Sequence, residues 1–283
     1  MALRARLDAR DADSGYAAVM TDDPILLACE GPVATLTLNR PDSLNALDLA
    51  MMDALVDNTA ALAADDSVRC IVIRGAGRHF MAGGDIRTFA ASLGAPQAQR
   101  REDFARLVQR VHTAIETVYR MPHPVIAAVH GAVAGFGLSL MCACDLAVAA
   151  DSSYFTSAYR HIGLTPDGGA TYALPRIVGV KKAMEIVLLG ERFSADEALR
   201  IGLVNRVVPE ADFDAAVEKL ASAVASGPAH AMRNGKRLIN QSLMQSLSVQ
   251  LDAEATSFAA CSATPDFVEG IGAFLAKRTP QFE

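Results

Sequence analysis

Two glycine-rich loops carry the residues of this sequence that are best suited to chemistry. One loop is Ala82–Asp85 and the other is Ala134–Gly137. Each follows a predicted buried strand and opens toward a predicted helix, where main-chain N–H groups lack partners and glycine lets a ligand approach closely. The two loops are therefore predicted to direct N–H donors at one oxyanion. Spacing alone leaves open the alternative that these glycines only allow tight turns.

Short apolar runs predict the elements that position these loops. Buried strands are predicted at Cys70–Ile73 and Val125–Val129, and each is followed by a glycine-rich segment. A hairpin is predicted from Ile25–Glu30 and Val33–Leu38. A helix is predicted after Asn45, which is a plausible N-cap. The recurring units of strand, loop and helix predict a ββα layout, and the C-terminal part is predicted to be helical.

Other motifs point to simpler roles. The segment Gly75-x-Gly77-x-x-Phe80 has phenylalanine where a dinucleotide fingerprint has its third glycine, so a nicotinamide cofactor is not expected. The six histidines are scattered without a metal-binding spacing, and no metal site is expected. Asp85 and Asp145 lie near loop ends, where structural hydrogen bonding is a better interpretation than proton transfer.

The composition narrows the class of protein. The chain has 283 residues, of which 51% are hydrophobic and 20% charged, as expected for a globular protein with a large core. Its net charge of −6 argues against a nucleic-acid partner. The most hydrophobic stretch, Val125–Ala150, contains Asp145, so a membrane span is not expected. The N-terminus has no secretory pattern, and five cysteines without a disulfide spacing suit reduced thiols in the cytoplasm.

Several motifs together resemble one known family, the crotonase (enoyl-CoA hydratase/isomerase) family. They are Asn39-Arg-Pro-x-x-Leu-Asn-Ala-Leu47, Phe80-Met-Ala-Gly-Gly-Asp-Ile86, His130-Gly-Ala-Val-Ala-Gly-Phe-Gly137, Gly163-Leu-Thr-Pro-Asp-Gly-Gly-Ala-Thr171 and Glu269-Gly-Ile-Gly-Ala-Phe-Leu-Ala-Lys-Arg278. The resemblance covers roughly residues 25–280 in order and spacing. It implies an α/β fold, with an N-terminal extension in residues 1–23, a ββα spiral core in residues 24–210 and a C-terminal helical region in residues 211–283. It also implies a homotrimer or a homohexamer.

The resemblance assigns the two oxyanion donors. By position these are the amides of Gly84 and Phe136, which would stabilise the enolate of a thioester. One such donor is typically worth about 10²–10³ in rate. Most relatives carry glycine at the second position, so the Phe136 ring is expected to narrow the pocket.

The resemblance leaves the proton acceptor less settled. Hydratases of the family use two glutamates, and Ser139 and Tyr159 stand at those positions in this chain. Asp167 follows Pro166 at the point where isomerase-like members carry an acid, so it is predicted to move a proton between C2 and C4 of an enoyl thioester. Its alternative role is that of a helix N-cap.

The implied substrate is an acyl-CoA, and no separate cofactor is expected because coenzyme A is part of that substrate. The residues expected at the substrate or at coenzyme A are Ser43, Leu44, Ala46, Ala82, Gly83, Asp85, Ile86, Ser139 and Tyr159. Lys277 and Arg278 are expected near the CoA phosphates, although an ordinary cationic helix end explains them equally well. The predicted activity is double-bond isomerisation, the runner-up is hydration of a 2-enoyl-CoA, and an acyl-CoA-binding protein without turnover is the alternative of another class.

Overall fold

The structure is a computed structural model that describes residues 23–282. The N-terminal extension predicted for residues 1–23 lies outside this range except for its last position. Within the described range the strands are β1 (Ile25–Glu30), β2 (Val33–Leu38), β3 (Cys70–Gly75), β4 (Val125–Val129), β5 (Ala132–Ala134), β6 (Leu146–Ala150), β7 (Tyr154–Thr156), β8 (Phe193–Ser194) and β9 (Arg206–Val208).

Helices connect these strands and then form the C-terminal part. They are α1 (Leu49–Ala63), α2 (Ile86–Ala91), α3 (Gln97–Arg120), α4 (Phe136–Ala143), α5 (Ala170–Ile177), α6 (Gly179–Leu189), α7 (Ala195–Arg200), α8 (Phe213–Ala225), α9 (Ala229–Ser242), α10 (Leu247–Ser262) and α11 (Pro265–Leu275). Short 3₁₀ turns lie at Pro41–Ser43, Tyr159–Ile162 and Glu210–Asp212. No helix in the described range is both long and apolar enough to cross a membrane.

Two sheets organise the fold. The larger sheet has six strands in the order β1-β2-β3-β4-β6-β9, in which β1 and β2 form the predicted antiparallel hairpin and the other neighbours run parallel. The smaller sheet has the order β5-β7-β8. Since β5 follows β4 directly and β7 follows β6 directly, successive strands of one unit enter different sheets. The predicted ββα layout is therefore confirmed.

The central strands are apolar on both sides because helices cover both faces of the larger sheet. In β3, Ile71 and Ile73 face the main core, which α1, α3 and α4 complete. Cys70 and Val72 face a second core on the opposite side, which the apolar face of α8 covers, beginning with Phe213. This double cover explains why β3 is a nearly continuous apolar run in the sequence.

The start of α1 corrects one prediction. The helix begins at Leu49, and its N-cap is Asp48, whose carboxylate accepts a hydrogen bond of 2.9 Å from the Met51 amide. Asn45 is instead buried in the preceding loop, where its side-chain amide donates to the His79 carbonyl oxygen at 2.7 Å. The prediction was wrong because a contact with a distant segment, rather than the adjacent helix, satisfies the Asn45 side chain.

Candidate active site

The two glycine-rich loops lie side by side. A parallel bridge joins Met81 to Val133, and the Ala134 amide donates to the Met81 carbonyl oxygen at 2.9 Å. Gly84 lies three residues after Met81, and Phe136 lies three residues after Val133. The paired loops therefore carry these two residues to equivalent places, at the starts of two helices.

Glycine is required where the loops touch. Gly83 has a φ of 95° and Gly135 has a φ of 53°, a region that glycine adopts without steric cost. A Cβ atom on Gly83 would lie 3.3 Å from the Ala134 carbonyl oxygen and 3.6 Å from the Phe136 nitrogen. Each of these glycines directly precedes a predicted donor, so a residue with positive φ stands before both amides.

The predicted donors are among the amides that the loops leave unused. The amides of Ala82, Asp85 and Gly135 all donate to main-chain carbonyl groups. Between residues 23 and 282, no protein acceptor is hydrogen bonded to the amide of Gly84 or Phe136. Phe136 also begins α4, where the helix dipole adds positive potential. Two free N–H groups in this setting suit an oxygen that becomes negative during a reaction.

The residues that carry both predicted donors line one cavity, which we call the catalytic cavity. It has a volume of about 760 Å³, and its walls include Gly84, Phe136 and Asp167. A more apolar cavity of about 590 Å³ adjoins it, and the two share Ile86, Phe89, Arg101, Phe104, Ile162 and Leu164. Each of the two cavities has the size and the mainly apolar lining of a site for an organic ligand.

Asp167 reaches the catalytic cavity from the turn before α5. Tyr159 donates its hydroxyl proton to Asp167 Oδ1 at 2.5 Å, and no other side chain between residues 23 and 282 is hydrogen bonded to this carboxylate. The N-cap of α5 is Gly169, and no side chain caps this helix. The alternative prediction of Asp167 as an N-cap is therefore wrong, because Gly168 and Gly169, both at positive φ, separate it from the helix.

Burial sets the protonation behaviour of this group. Burial raises the pKa of Asp167, and the Tyr159 hydrogen bond and the nearby His112 reduce that increase. Burial, together with the Asp167 charge, also raises the pKa of Tyr159, which therefore stays a proton donor. The Ser139 hydroxyl donates to the Asp167 carbonyl oxygen at 2.8 Å, and His112 Nε2 accepts from the Gly168 amide at 3.1 Å. These contacts hold the turn that presents the carboxylate.

Comparisons with known proteins identify the family that has this site. The sequence profile of the enoyl-CoA hydratase/isomerase family matches residues 29–283. The chain belongs to this family. A probable enoyl-CoA hydratase of Rhodobacter capsulatus is 40% identical to it, over 88% of this chain and 94% of the relative. The 1,2-epoxyphenylacetyl-CoA isomerase of Escherichia coli is 36% identical, over 91% of this chain and 97% of the relative.

Solved structures agree with the sequence comparison. A crystal structure of an enoyl-CoA hydratase from Polaromonas sp. JS666 matches with a TM-score of 0.85 at 36% identity, covering 92% of this chain and 99% of that one. The predicted crotonase fold is confirmed, and the protein is an enoyl-CoA hydratase/isomerase family enzyme that acts on CoA thioesters.

Arg40 is a positioning residue of this family member that no sequence pattern singled out. Its guanidinium contacts Asp48 at 3.0 Å and Asp85 at 3.1 Å, and it also donates to the Ala46 carbonyl oxygen. Asp85 caps α2 by accepting from the Arg87 amide at 3.0 Å. Burial alone would raise the pKa of Asp85, but these hydrogen bonds hold it below its usual value. The sequence signal that could have identified Arg40 is its position directly before Pro41 in the first family motif.

The residues predicted to bind substrate or coenzyme A lie in different places. Those that line the catalytic cavity are Ala82, Gly83, Ile86 and Tyr159. Ser139 is buried behind Tyr159, and the Asp85 side chain is held by Arg40 outside the cavity wall. Ser43, Leu44 and Ala46 lie on the neighbouring loop, which the Ala82 amide joins by donating to the Leu44 carbonyl oxygen at 3.0 Å. Contacts of any of these residues with coenzyme A stay predictions.

The two C-terminal cations, Lys277 and Arg278, are not among the residues that line the catalytic cavity. Arg278 forms a two-bond ion pair with Glu269, at 2.6 and 2.8 Å. In the described chain, neither Lys277 nor Arg278 lines the catalytic cavity or the apolar cavity that adjoins it. Their predicted contact with the CoA phosphates stays a prediction.

Phe136 has a second structural role besides its amide. Its side chain is only 2% exposed. A Cβ atom added to Gly168 would lie 2.9 Å from Cε2 of the Phe136 ring, so the ring packs directly beneath the turn that follows Asp167. The same residue therefore carries a predicted oxyanion donor and packs against the acidic turn.

Proposed function

We propose that this enzyme moves the double bond of an enoyl-CoA thioester, with Asp167 as the single acid/base. The amides of Gly84 and Phe136 would bind the thioester oxygen and stabilise the enolate. Asp167 would take a proton from C2 through Oδ2 and return it at C4, which yields the conjugated 2-enoyl thioester. The proton moves within the substrate, so neither water nor a separate cofactor takes part.

The availability of one carboxylate oxygen carries this proposal. In the described chain, the carboxylates that line the catalytic cavity belong to Asp48 and Asp167. Both oxygens of Asp48 are occupied, one by the Met51 amide and the other by Arg40. In Asp167, by contrast, no described side chain is hydrogen bonded to Oδ2, and this oxygen can accept a proton. Since burial raises the Asp167 pKa, the protonated form that occurs during turnover is easier to reach than for an exposed aspartate.

Hydration of a 2-enoyl-CoA is the runner-up. It requires one group to activate water and another to deliver a proton. Ser139 and Tyr159 stand where hydratases of the family carry glutamates, and neither is a base at neutral pH, since the pKa of Tyr159 is raised. The hydratase names of several relatives keep this activity as the alternative, and the proposed isomerisation needs only the carboxylate that is present.

Matched substrates test the proposal. We expect a 3-enoyl-CoA to gain the absorbance of a conjugated thioester, and a 2-enoyl-CoA to lose little of it. Asp167→Asn keeps the side-chain shape and removes the base, so turnover is expected to fall by about 10²–10⁴ while acyl-CoA binding persists.

The matched control is Asp214→Asn, which changes a surface aspartate whose Oδ1 is 2.8 Å from Arg74, away from the catalytic cavity. It should keep the wild-type rate. An Asp167→Asn variant as active as the wild type would exclude Asp167 as the base. Rapid loss of absorbance from the 2-enoyl-CoA would favour hydration.

Assembly and location complete the proposal. We propose that copies of the chain form a trimer or a hexamer through the C-terminal helices. Large apolar side chains are exposed there, namely Ile239, Leu247, Val249, Leu251, Phe258, Val268, Ile271, Phe274 and Leu275. Apolar surface of this extent is typical of protein interfaces. The free thiols of Cys70, Cys142, Cys144 and Cys261 support the cytoplasm as the proposed compartment.

A further inference from the structure

Phe89 stands where the catalytic cavity meets the neighbouring cavity of about 590 Å³, which we call the apolar cavity, and it lines both. It lies on α2, the short helix that begins directly after Gly84 and Asp85. The Phe89 amide donates to the Asp85 carbonyl oxygen at 3.3 Å, so the first turn of α2 brings residue 89 back toward the oxyanion loop. The position of this ring is therefore tied to the position of the loop.

The tip of the Phe89 ring packs directly against Gly84. A Cβ atom on Gly84 would lie 2.6 Å from Cζ of the ring and 3.2 Å from Cε2. Only a residue without a side chain allows this close approach. A thioester held by the Gly84 amide would therefore have the Phe89 ring as a near neighbour.

A second ring supports the first. Phe104 lies on α3, and its ring centroid is 5.2 Å from that of Phe89, with an angle of 56° between the ring planes. This is a favourable arrangement for two aromatic rings. Phe104 also lines both cavities. The two rings together form a wall that extends from Gly84 to α3.

The apolar cavity beyond this wall suits a hydrocarbon group. Its lining includes Ile86, Leu93, Ile162 and Leu164, whose exposed fractions lie between 42% and 72%. No carboxylate of the described chain lines it. Burying one more methylene group of a ligand in such a place is worth about fourfold in affinity. The end of a long acyl group would gain this contribution only if it could pass the two rings.

We propose that Phe89 is a specificity-determining residue whose ring, supported by Phe104, keeps the acyl group of the substrate within the catalytic cavity. The inference rests on the proposed function, since it takes the Gly84 amide as a donor to the thioester oxygen. An acyl chain held there meets the Phe89 ring before it reaches the apolar cavity. The preferred substrates are therefore short enoyl-CoA thioesters, and removal of the ring admits longer ones.

A chain-length series tests this role. The ratio of kcat/KM for 3-decenoyl-CoA to that for 3-hexenoyl-CoA is measured in the wild type and in Phe89→Ala. The wild type is expected to prefer the shorter substrate. Phe89→Ala should raise the ratio by about 10- to 100-fold, because four additional methylene groups at about fourfold each set the upper limit. A ratio of two substrates cancels any general loss of activity from a displaced Gly84 amide.

One control variant removes a ring elsewhere. Phe193 belongs to a stacked pair with Phe155, with ring centroids 5.6 Å apart, and in the described chain it lines neither cavity. Phe193→Ala should therefore keep the wild-type ratio. Phe104→Ala should raise the ratio less than Phe89→Ala does, because it removes the support and leaves the ring beside Gly84.

A second substitution should reverse the gain. Leu93 lines the apolar cavity but not the catalytic cavity, and its side chain is exposed, so a larger side chain can replace it. When Leu93→Trp is added to Phe89→Ala, the indole should fill the opened space. The longer substrate should lose its gain while the shorter one keeps its rate. A general structural defect would not produce this reversal.

Binding of saturated analogues separates this inference from the proposed reaction. Calorimetry with decanoyl-CoA and hexanoyl-CoA should show the same change in ratio, whether or not the enzyme isomerises double bonds. Absence of any isomerisation by the wild type would refute the proposed function, and the binding ratio would still decide the role of Phe89. That role is excluded if Phe89→Ala keeps the wild-type ratio, or if the wild type already favours the longer chain.

Discussion

The hydrogen bond from Tyr159 to Asp167 predicts a shift in the pH dependence of activity. Tyr159→Phe removes the hydroxyl that donates to Asp167 Oδ1 and leaves the ring. Burial raises the Asp167 pKa, and the Tyr159 bond lowers it by stabilising the charged form. Without that bond, the pKa of Asp167 should rise further above its usual value.

The size of the shift follows from the type of bond. A hydrogen bond to a charged group contributes about 1.5–3 kcal/mol. At 1.36 kcal/mol per pKa unit, its loss raises the Asp167 pKa by about one to two units. Asp167 acts as a base only when ionised, so activity is lost as the pH falls through this pKa. The acid limb of kcat/KM should therefore move to higher pH by about that amount.

The assay is kcat/KM for a 3-enoyl-CoA, measured from acidic to neutral pH for the wild type and for Tyr159→Phe. Tyr172→Phe serves as the control, because its hydroxyl contacts Met244 Sδ at 3.3 Å rather than Asp167, and it should keep the wild-type profile. An acid limb that stays in place, or that moves to lower pH, would show that Tyr159 does not stabilise the Asp167 carboxylate.

Two further predictions concern the loops and the assembly. In Gly137→Ala, the new Cβ atom would lie 2.4 Å from the Met81 carbonyl oxygen. Forcing the two loops apart should lower kcat and destabilise the fold by about 1–3 kcal/mol in urea unfolding. Gly235→Ala is the control, with no atom within 4 Å of the added Cβ, and a similar loss in both variants would contradict the argument. For the assembly, light scattering should give three or six times the chain mass, and Phe274→Asp should reduce it; a monomeric wild type would refute the proposed interface.

Sequence patterns alone determined the local features of this protein. Strand β3 was predicted because a continuous apolar run fits a strand covered on both faces. The glycines at 83 and 135 were predicted as loop residues because few other residues adopt positive φ. The order of the motifs indicated the crotonase family, which the comparisons confirmed.

Tertiary structure alone decided which distant residues meet. Asn45 was predicted as a cap from its neighbours, yet its side chain binds a carbonyl group of another segment. The salt bridge between Arg40 and Asp85 and the hydrogen bond from Ser139 to the Asp167 carbonyl oxygen also join residues that are far apart in sequence. Local patterns report backbone preference and burial, which depend on near neighbours. Hydrogen bonds between separate segments depend on how the whole chain packs, so no local pattern contains them.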